Sequence, residues 1–122
     1  MRDYFMNDFD AAVKTLLERI GNDYDRWSQR TEYHDETRVE KFRDELTLKP
    51  GRKYLKITND EVRDNGNVGS RVWGFVVLED DKKFKKGDIL MAAGYNAPAR
   101  NKSRGNIFED YSIQWTGPNY LF

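Results

Sequence analysis

The chain has 122 residues with no cysteine, and 21 basic residues balance 21 acidic ones. This length indicates one domain that can bury a core without a metal or a disulfide. Zero net charge disfavours a general DNA-coating protein, and the lack of cysteine excludes disulfides, zinc–thiolate sites and thiol nucleophiles.

We predict one ligand-binding domain over residues 1–122. Charge is distributed unevenly along it. Residues 1–48, the predicted helical part, hold twelve acids and eight bases, a balance of −4. Residues 49–122, the predicted sheet part, hold nine acids and thirteen bases, a balance of +4. The two parts can attract each other within a chain or between subunits, although acidic segments usually form a solvated face.

Targeting signals are not evident in the sequence. No apolar run has the length of a membrane span, and the first ten residues lack the basic and apolar regions of a signal peptide. We therefore expect a soluble cytoplasmic protein with no membrane partner.

Two helices are predicted in the first part. Asn7 can cap a helix over residues 7–28, in which Gly21 can cause a break. Its apolar side chains are spaced four, three, four and three residues apart and form one stripe: Val13, Leu17, Ile20, Tyr24 and Trp27. A second helix is predicted over residues 32–46. The stripe either covers a sheet or makes an oligomer contact.

Beyond a turn at residues 49–51 the pattern alternates, which indicates strands. We predict strands over residues 53–58, 71–79, 89–93 and 111–115, with a tight turn at Asn65-Gly66. In the second strand, alternation places Arg71 on one face with Trp73, Phe75 and Val77. The predicted class is α+β: an N-terminal helical hairpin, then a mostly antiparallel sheet with a short helix after the third strand.

Catalytic patterns are not found. His34 is the only histidine, and no nucleophile elbow, phosphate-binding glycine loop or dinucleotide fingerprint is present. The carboxylates Asp80 and Asp81 lie among lysines and indicate a solvated hairpin tip. We expect no catalytic residue, metal or cofactor, and no enzymatic activity.

Positive evidence for binding comes from the segment AGYNAPARNKSRGN, residues 93–106. It contains Arg100, Lys102 and Arg104, and no acid occurs from residue 89 to residue 108. Pro98 favours the first turn of a short helix, which would place both arginines on one face, where guanidinium groups could hold phosphate. An ordinary solvated loop explains the spacing equally well.

Aromatic and amide side chains accompany these cations. Tyr95 and Trp73 could stack on a base, and Asn96, Asn101 or Asn106 could read its edge. About four cations, counting Arg71, are too few to track a polynucleotide, which releases a counterion at each of many phosphates. We therefore expect a phosphate-rich small molecule and no long nucleic acid.

The motifs GSRVWGFV and GDILMAAGYNAPARNKSRGNIF resemble a family of small bacteriophage proteins, the anti-Thoeris sponges, over roughly residues 70–106. These proteins capture, without cleaving it, the cyclic ADP-ribose isomer made by the TIR enzyme of the Thoeris defence. The resemblance implies that Arg71, Arg100 and Arg104 contact phosphate, that Tyr95 stacks on adenine, and that Asn106 lies across the base or ribose. Tryptophan or phenylalanine is commoner than tyrosine at the stacking position.

The resemblance also implies a homo-oligomer, a dimer or larger, and cyclic oligonucleotides as further ligands. The expected function is therefore a phage anti-defence sponge that sequesters a cyclic nucleotide-derived immune signal. Two alternatives stay open: a nucleotide- or nucleic-acid-processing enzyme that uses the same arginines, and a phage protein-interaction module.

Overall fold

The computed structural model describes residues 8–32 and 34–118 and confirms the predicted α+β class. The cap predicted at Asn7 and the apolar end at residues 119–122 lie outside the described residues. Two helices precede the strands, α1 (Asp8–Gln29) and α2 (Glu36–Glu45). Four antiparallel strands form the main sheet in chain order: β1 (Leu46–Pro50), β2 (Tyr54–Val62), β3 (Val68–Val77) and β4 (Ile89–Leu90).

Two small two-stranded sheets complete the architecture. One pairs β5 (Ala92–Gly94) with β6 (Ala97–Pro98), and the other pairs β7 (Ile113–Gln114) with β8 (Gly117–Pro118). Within residues 8–32 and 34–118, neither helix combines the length and the apolar character that a membrane crossing requires.

Helix α1 covers one face of the main sheet. Its buried residues Val13, Leu16 and Ile20 join a core cluster that includes Leu55 and Ile57 of β2. This confirms the first of the two interpretations of the apolar stripe, that it covers the sheet. The stripe is rotated slightly from the predicted one, because Leu16 lies at its centre while Trp27 remains 40% exposed.

The break that Gly21 could cause does not occur, and α1 continues through this residue. The glycine instead allows close packing of the two helices. A Cβ atom at Gly21 would lie 2.6 Å from Nη1 of Arg43, whose Nη2 donates a hydrogen bond of 3.0 Å to Asn22 Oδ1. Because Gly21 has no side chain, Arg43 of α2 can pack directly against α1.

Helix α2 is shorter than predicted. It begins after Asp35, whose side chain accepts a hydrogen bond of 2.8 Å from the backbone N–H of Thr37. It ends at Glu45, because Leu46 has extended backbone angles and opens β1 directly. Strand β1 was not predicted. The predicted turn follows it, where the Gly51 N–H donates to the Tyr54 carbonyl at 2.8 Å.

A β-bulge at Trp73 interrupts the alternation of β3. Ile57 pairs with Gly74 and its neighbour Thr58 pairs with Val72, so Trp73 is an extra residue in β3. An extra residue reverses the order of inward and outward side chains beyond it. The predicted common face of Trp73, Phe75 and Val77 is therefore wrong.

The main sheet consequently has two distinct faces. On the helix face, Trp73 and Val76 pack with the residues of α1 and α2. On the opposite face, which we call the loop face, Phe75 and Val77 pack with Phe84, which is only 3% exposed within the KKFKK segment. The chain after β4 folds across this loop face.

The short helix predicted at Pro98 does not form, and Pro98 belongs to β6. The backbone N–H groups of this segment instead donate hydrogen bonds to carbonyl groups of residues 89–91. Ala99 donates to the Met91 carbonyl at 2.7 Å, and Arg104 donates to the Ile89 carbonyl at 2.8 Å. Arg100 and Arg104 therefore do not share a helical face.

Candidate functional site

A basic groove lies on the loop face, beside the hairpin that joins β1 to β2. It encloses about 500 Å³. Four cationic side chains line it, and no acidic residue does so within the described part of the chain. The full lining consists of Lys49, Pro50, Gly51, Arg52, Lys53, Tyr54, Lys56, Phe75 and Asn96.

The groove is positioned by the sheet register. Lys49 of β1 lies opposite Lys56 of β2, and Lys56 lies opposite Phe75 of β3. Because cross-strand partners project from the same face, two ammonium groups and an aromatic ring are brought side by side. The turn between the strands adds Arg52 and Lys53, both exposed. Like charges held this close favour an anionic ligand.

The turn between β5 and β6 closes one side of the groove. The Asn96 Oδ1 accepts a hydrogen bond of 3.0 Å from Lys56 Nζ, which also lies 4.0 Å from the ring centroid of Tyr95. Tyr95 is 41% exposed, so its ring remains accessible beside this ammonium group. Tyr95 and Asn96 thus rim the groove, as two of the predicted ligand-binding residues.

A hydrogen-bond network fixes Tyr95 to the sheet. Its hydroxyl lies 2.8 Å from Ser70 Oγ and accepts a bond of 3.2 Å from Lys49 Nζ. Ser70 also donates to Asp60, and Lys49 forms an ion pair of 3.0 Å with the same carboxylate. The hydrogen bonds with Ser70 and then with Lys49 lower the pKa of the Tyr95 hydroxyl, whereas the bond to Asp60 raises the pKa of Lys49.

Arg100 is near the groove but is already engaged. It pairs with Asp81 at 3.0 Å, donates to the Tyr54 hydroxyl and lies 4.8 Å from the ring centroid of Phe84. Backbone N–H groups of Phe84 and Lys83 lower the pKa of the Asp81 carboxyl to about 2. This arrangement ties the loop after β6 to the 78–88 hairpin.

Arg104 points elsewhere. Its guanidinium contacts the Met91 sulfur at 3.4 Å and the Asn101 Oδ1 at 3.4 Å. The structure therefore does not bring Arg100 and Arg104 together, and the expected joint grip on one phosphate lacks geometric support.

Arg71 and Trp73 lie on the helix face, across the sheet from Tyr95. Both border a groove beside Phe42 and Trp115. Trp73 is 5% exposed, and its Nε1 donates a bond of 2.8 Å to the Gln114 carbonyl. This buried, hydrogen-bonded indole belongs to the core and presents no free ring face for a base.

Asn106, the last predicted site residue, is 8% exposed and joins two loops. Its Nδ2 donates to the Lys86 carbonyl and to Asp88 Oδ1, both at 3.0 Å, and its Oδ1 accepts from the Phe108 N–H at 2.9 Å. Gly87 must lack a side chain here, because a Cβ would lie 2.9 Å from Asn106 Oδ1 and its φ is +92°. Asn106 therefore has a structural role in the loops.

The groove cations Lys49, Arg52, Lys53 and Lys56 were missed by sequence reasoning. The signal was present: the segment KPGRKYLK, residues 49–56, holds all four without an acid. Their convergence depends on the pairing of β1 with β2, and β1 was not predicted.

Fold and groove together define an α+β protein with a basic, aromatic-bordered concave site on one sheet face. The chain belongs to the family described as "Family of unknown function (DUF7717)", whose model matches residues 1–119. No curated protein and no solved structure matches the chain.

Proposed function

We propose that this protein binds a phosphate-bearing, nucleotide-type small molecule in the basic groove and holds it without chemical change. The observation that carries the proposal is the convergence of Lys49, Arg52, Lys53 and Lys56 on one concave surface lined by no described acid. Ammonium and guanidinium groups form charge-assisted hydrogen bonds with phosphate oxygens, which are stronger than neutral ones.

The dimensions of the groove favour a small ligand. Its volume of about 500 Å³ is of the size that small-molecule sites usually have. Arg52, Lys53 and Lys56, together with Lys49 held by Asp60, match one or two phosphate groups, whereas a polynucleotide requires a longer basic track. Tyr95 at the rim offers an accessible ring for base stacking, and Asn96 offers an amide for its polar edge.

The specific form of the proposal is sequestration. The resemblance of roughly residues 70–106 to anti-Thoeris sponges supports a phage protein that acts in the host cytoplasm as a homo-oligomer. Its ligand would be a cyclic ADP-ribose isomer or a cyclic oligonucleotide. In this form Tyr95 and Asn96 keep their predicted contacts, and the groove cations provide the phosphate contacts that Arg71 and Arg104 were expected to make.

The decisive experiment follows both binding and the fate of the ligand. The full chain is titrated calorimetrically with a cyclic ADP-ribose isomer and a cyclic dinucleotide at low and high salt. The mixture is then heat-denatured, and the released ligand is identified by mass spectrometry. Saturable, salt-sensitive binding with intact ligand recovered is the expected result.

Two other outcomes contradict the proposal. Recovery of a cleaved or linearised product would identify the protein as a nucleotide-processing enzyme. No binding of either ligand, together with co-purification of a host protein, would identify an interaction module.

A further inference from the structure

A second groove lies on the helix face, between α2 and strands β2 and β3. It encloses about 430 Å³ and is separated from the basic groove by the sheet. Its lining includes four aromatic rings, three cations and two carboxylates: Tyr24, Trp27, Phe42, Trp115, Arg38, Lys41, Arg71, Glu45 and Glu61. This mixture of rings and opposite charges differs from the purely basic lining on the loop face.

The aromatic wall of the groove is built and partly open. The Tyr24 ring stacks on Phe42 with centroids 4.1 Å apart, and the Trp27 and Trp115 centroids are 4.9 Å apart. Trp27 is nonetheless 40% exposed, at the rim of the groove. A fixed wall with an exposed indole is suited to a planar ring that stacks upon it.

Two polar groups in the groove lack partners among the described residues. The Glu45 Oε2 atom is buried without a hydrogen bond from any described group. The Arg71 side chain is exposed and makes no hydrogen bond or ion pair within residues 8–32 and 34–118, although its charge acts on Glu45. Buried acceptors are normally hydrogen-bonded, so an orphaned carboxylate oxygen in a groove that the Arg71 fork also lines indicates room for a ligand.

The required ligand is defined by these three features. It must be planar for the indoles, donate hydrogen bonds to Glu45 and accept them from Arg71. Glu45 and Glu61 share the lining with Arg38, Lys41 and Arg71, so the groove offers both acceptors and donors and does not select for an anion alone. Guanine combines adjacent N–H donors on its Watson–Crick edge with the O6 and N7 acceptors that arginine recognises bidentately.

We infer that the helix-face groove is a binding site for a guanine-type base. Glu45 accepts from the N–H donors, Arg71 donates to the O6/N7 edge, and the ring stacks against Trp27. This inference does not depend on the function proposed for the basic groove.

Nucleosides test the site without involving phosphate. Guanosine, inosine and adenosine are titrated against the full chain, with tryptophan fluorescence and equilibrium dialysis as readouts. Guanosine is expected to bind saturably, inosine more weakly because it lacks the exocyclic N–H₂ donor, and adenosine at least tenfold more weakly than guanosine. Equal binding of all three, or no saturable binding, would overturn the inference.

Variants then assign the contacts. Glu45→Gln replaces one acceptor oxygen with a donor, and Arg71→Lys keeps the charge but loses the fork; each is expected to weaken guanosine binding at least tenfold. The Lys82→Glu/Lys85→Glu variant, altered only at exposed positions of the 78–88 hairpin on the loop face, serves as control and should bind guanosine normally. Unchanged guanosine affinity in Glu45→Gln, with the variant shown to be folded by circular dichroism, would also overturn it.

Discussion

The two grooves of this protein lie on opposite faces of one sheet and are built in opposite ways. The basic groove takes its four cations from residues 49–56, a single hairpin, where Arg52 and Lys53 are exposed and Lys49 and Lys56 are half-buried. The helix-face groove draws on both helices, β2, β3 and the segment around Trp115. The first is therefore a local feature that the sequence displays, whereas the second exists only after the chain has folded.

Their electrostatics differ for the same reason. On the loop face, the hydrogen bond from Ser70 lowers the pKa of Asp60, which forms an ion pair with Lys49. On the helix face, burial raises the pKa of Glu45. Solvated charges can be gathered at little cost, but a carboxylate without a hydrogen-bond partner at one oxygen is costly and is retained only where something offsets that cost.

The largest expected effect concerns Trp73, which the sequence assigned to ligand binding and the structure assigns to the core. Trp73→Ala should lower the free energy of unfolding by about 3–5 kcal/mol, as is usual for removing a large buried aromatic side chain. Urea denaturation followed by circular dichroism measures this loss. Tyr95→Ala, at an exposed aromatic position, is the matched control and should leave the denaturation midpoint close to that of the parent.

A second experiment tests which face holds the phosphate ligand. Lys53→Glu/Lys56→Glu should weaken binding of the cyclic ADP-ribose isomer by about a hundredfold, because two attractive contacts become repulsive. Lys14→Glu/Arg30→Glu makes the same change of net charge at exposed positions of the helical part and should bind normally. Equal loss in both variants would mean that net charge, and not the basic groove, determines affinity.

The fold could be predicted from the sequence in outline, because long periodic segments such as α1 and the strand containing Trp73 carry strong patterns. The failures have physical causes that periodicity does not record. The bulge at Trp73 shifts the strand by one residue, and β1 follows α2 without a connecting loop. Proline is compatible both with the first turn of a helix and with the short strand β6, so the sequence did not decide between them at Pro98.

The candidate site was only partly predicted for related reasons. Tyr95 and Asn96 were identified because they interrupt a small-residue segment next to cations, and the structure places both at the groove. Arg71 lies on the other face of the sheet from Tyr95 and Asn96, and the spacing of these residues in the sequence does not reveal this separation. Asn106 could not be assigned from spacing either, because two of its three hydrogen bonds join loops about twenty residues apart in sequence.

Acid should weaken the link that holds the loop segment over the sheet. Asp81 has a pKa lowered to about 2 from 3.8 by the N–H groups of Phe84 and Lys83 and by Arg100. A lowered pKa in the folded state means that its stabilisation is present above pH 3.8 and is lost as the pH falls toward about 2. The urea midpoint should therefore fall over this range, and less so in Asp81→Asn, which does not titrate. An equal fall of the urea midpoint in both proteins would show that Asp81 does not contribute to the loss of stability in acid.

The smallest effect concerns the Tyr95 hydroxyl, and it distinguishes a fixed rim from a freely rotating one. The phenol absorbance at 295 nm, taken as the difference from Tyr95→Phe, should titrate below pH 10, because the bonds with Ser70 and Lys49 lower the Tyr95 pKa. Ser70→Ala removes the larger of these influences and should move the midpoint back toward 10. A Tyr95 ring that rotated freely in solution would titrate alike in both proteins. A difference between them would mean that the ring is held in place before any ligand arrives, so that binding does not bear the entropic cost of ordering it.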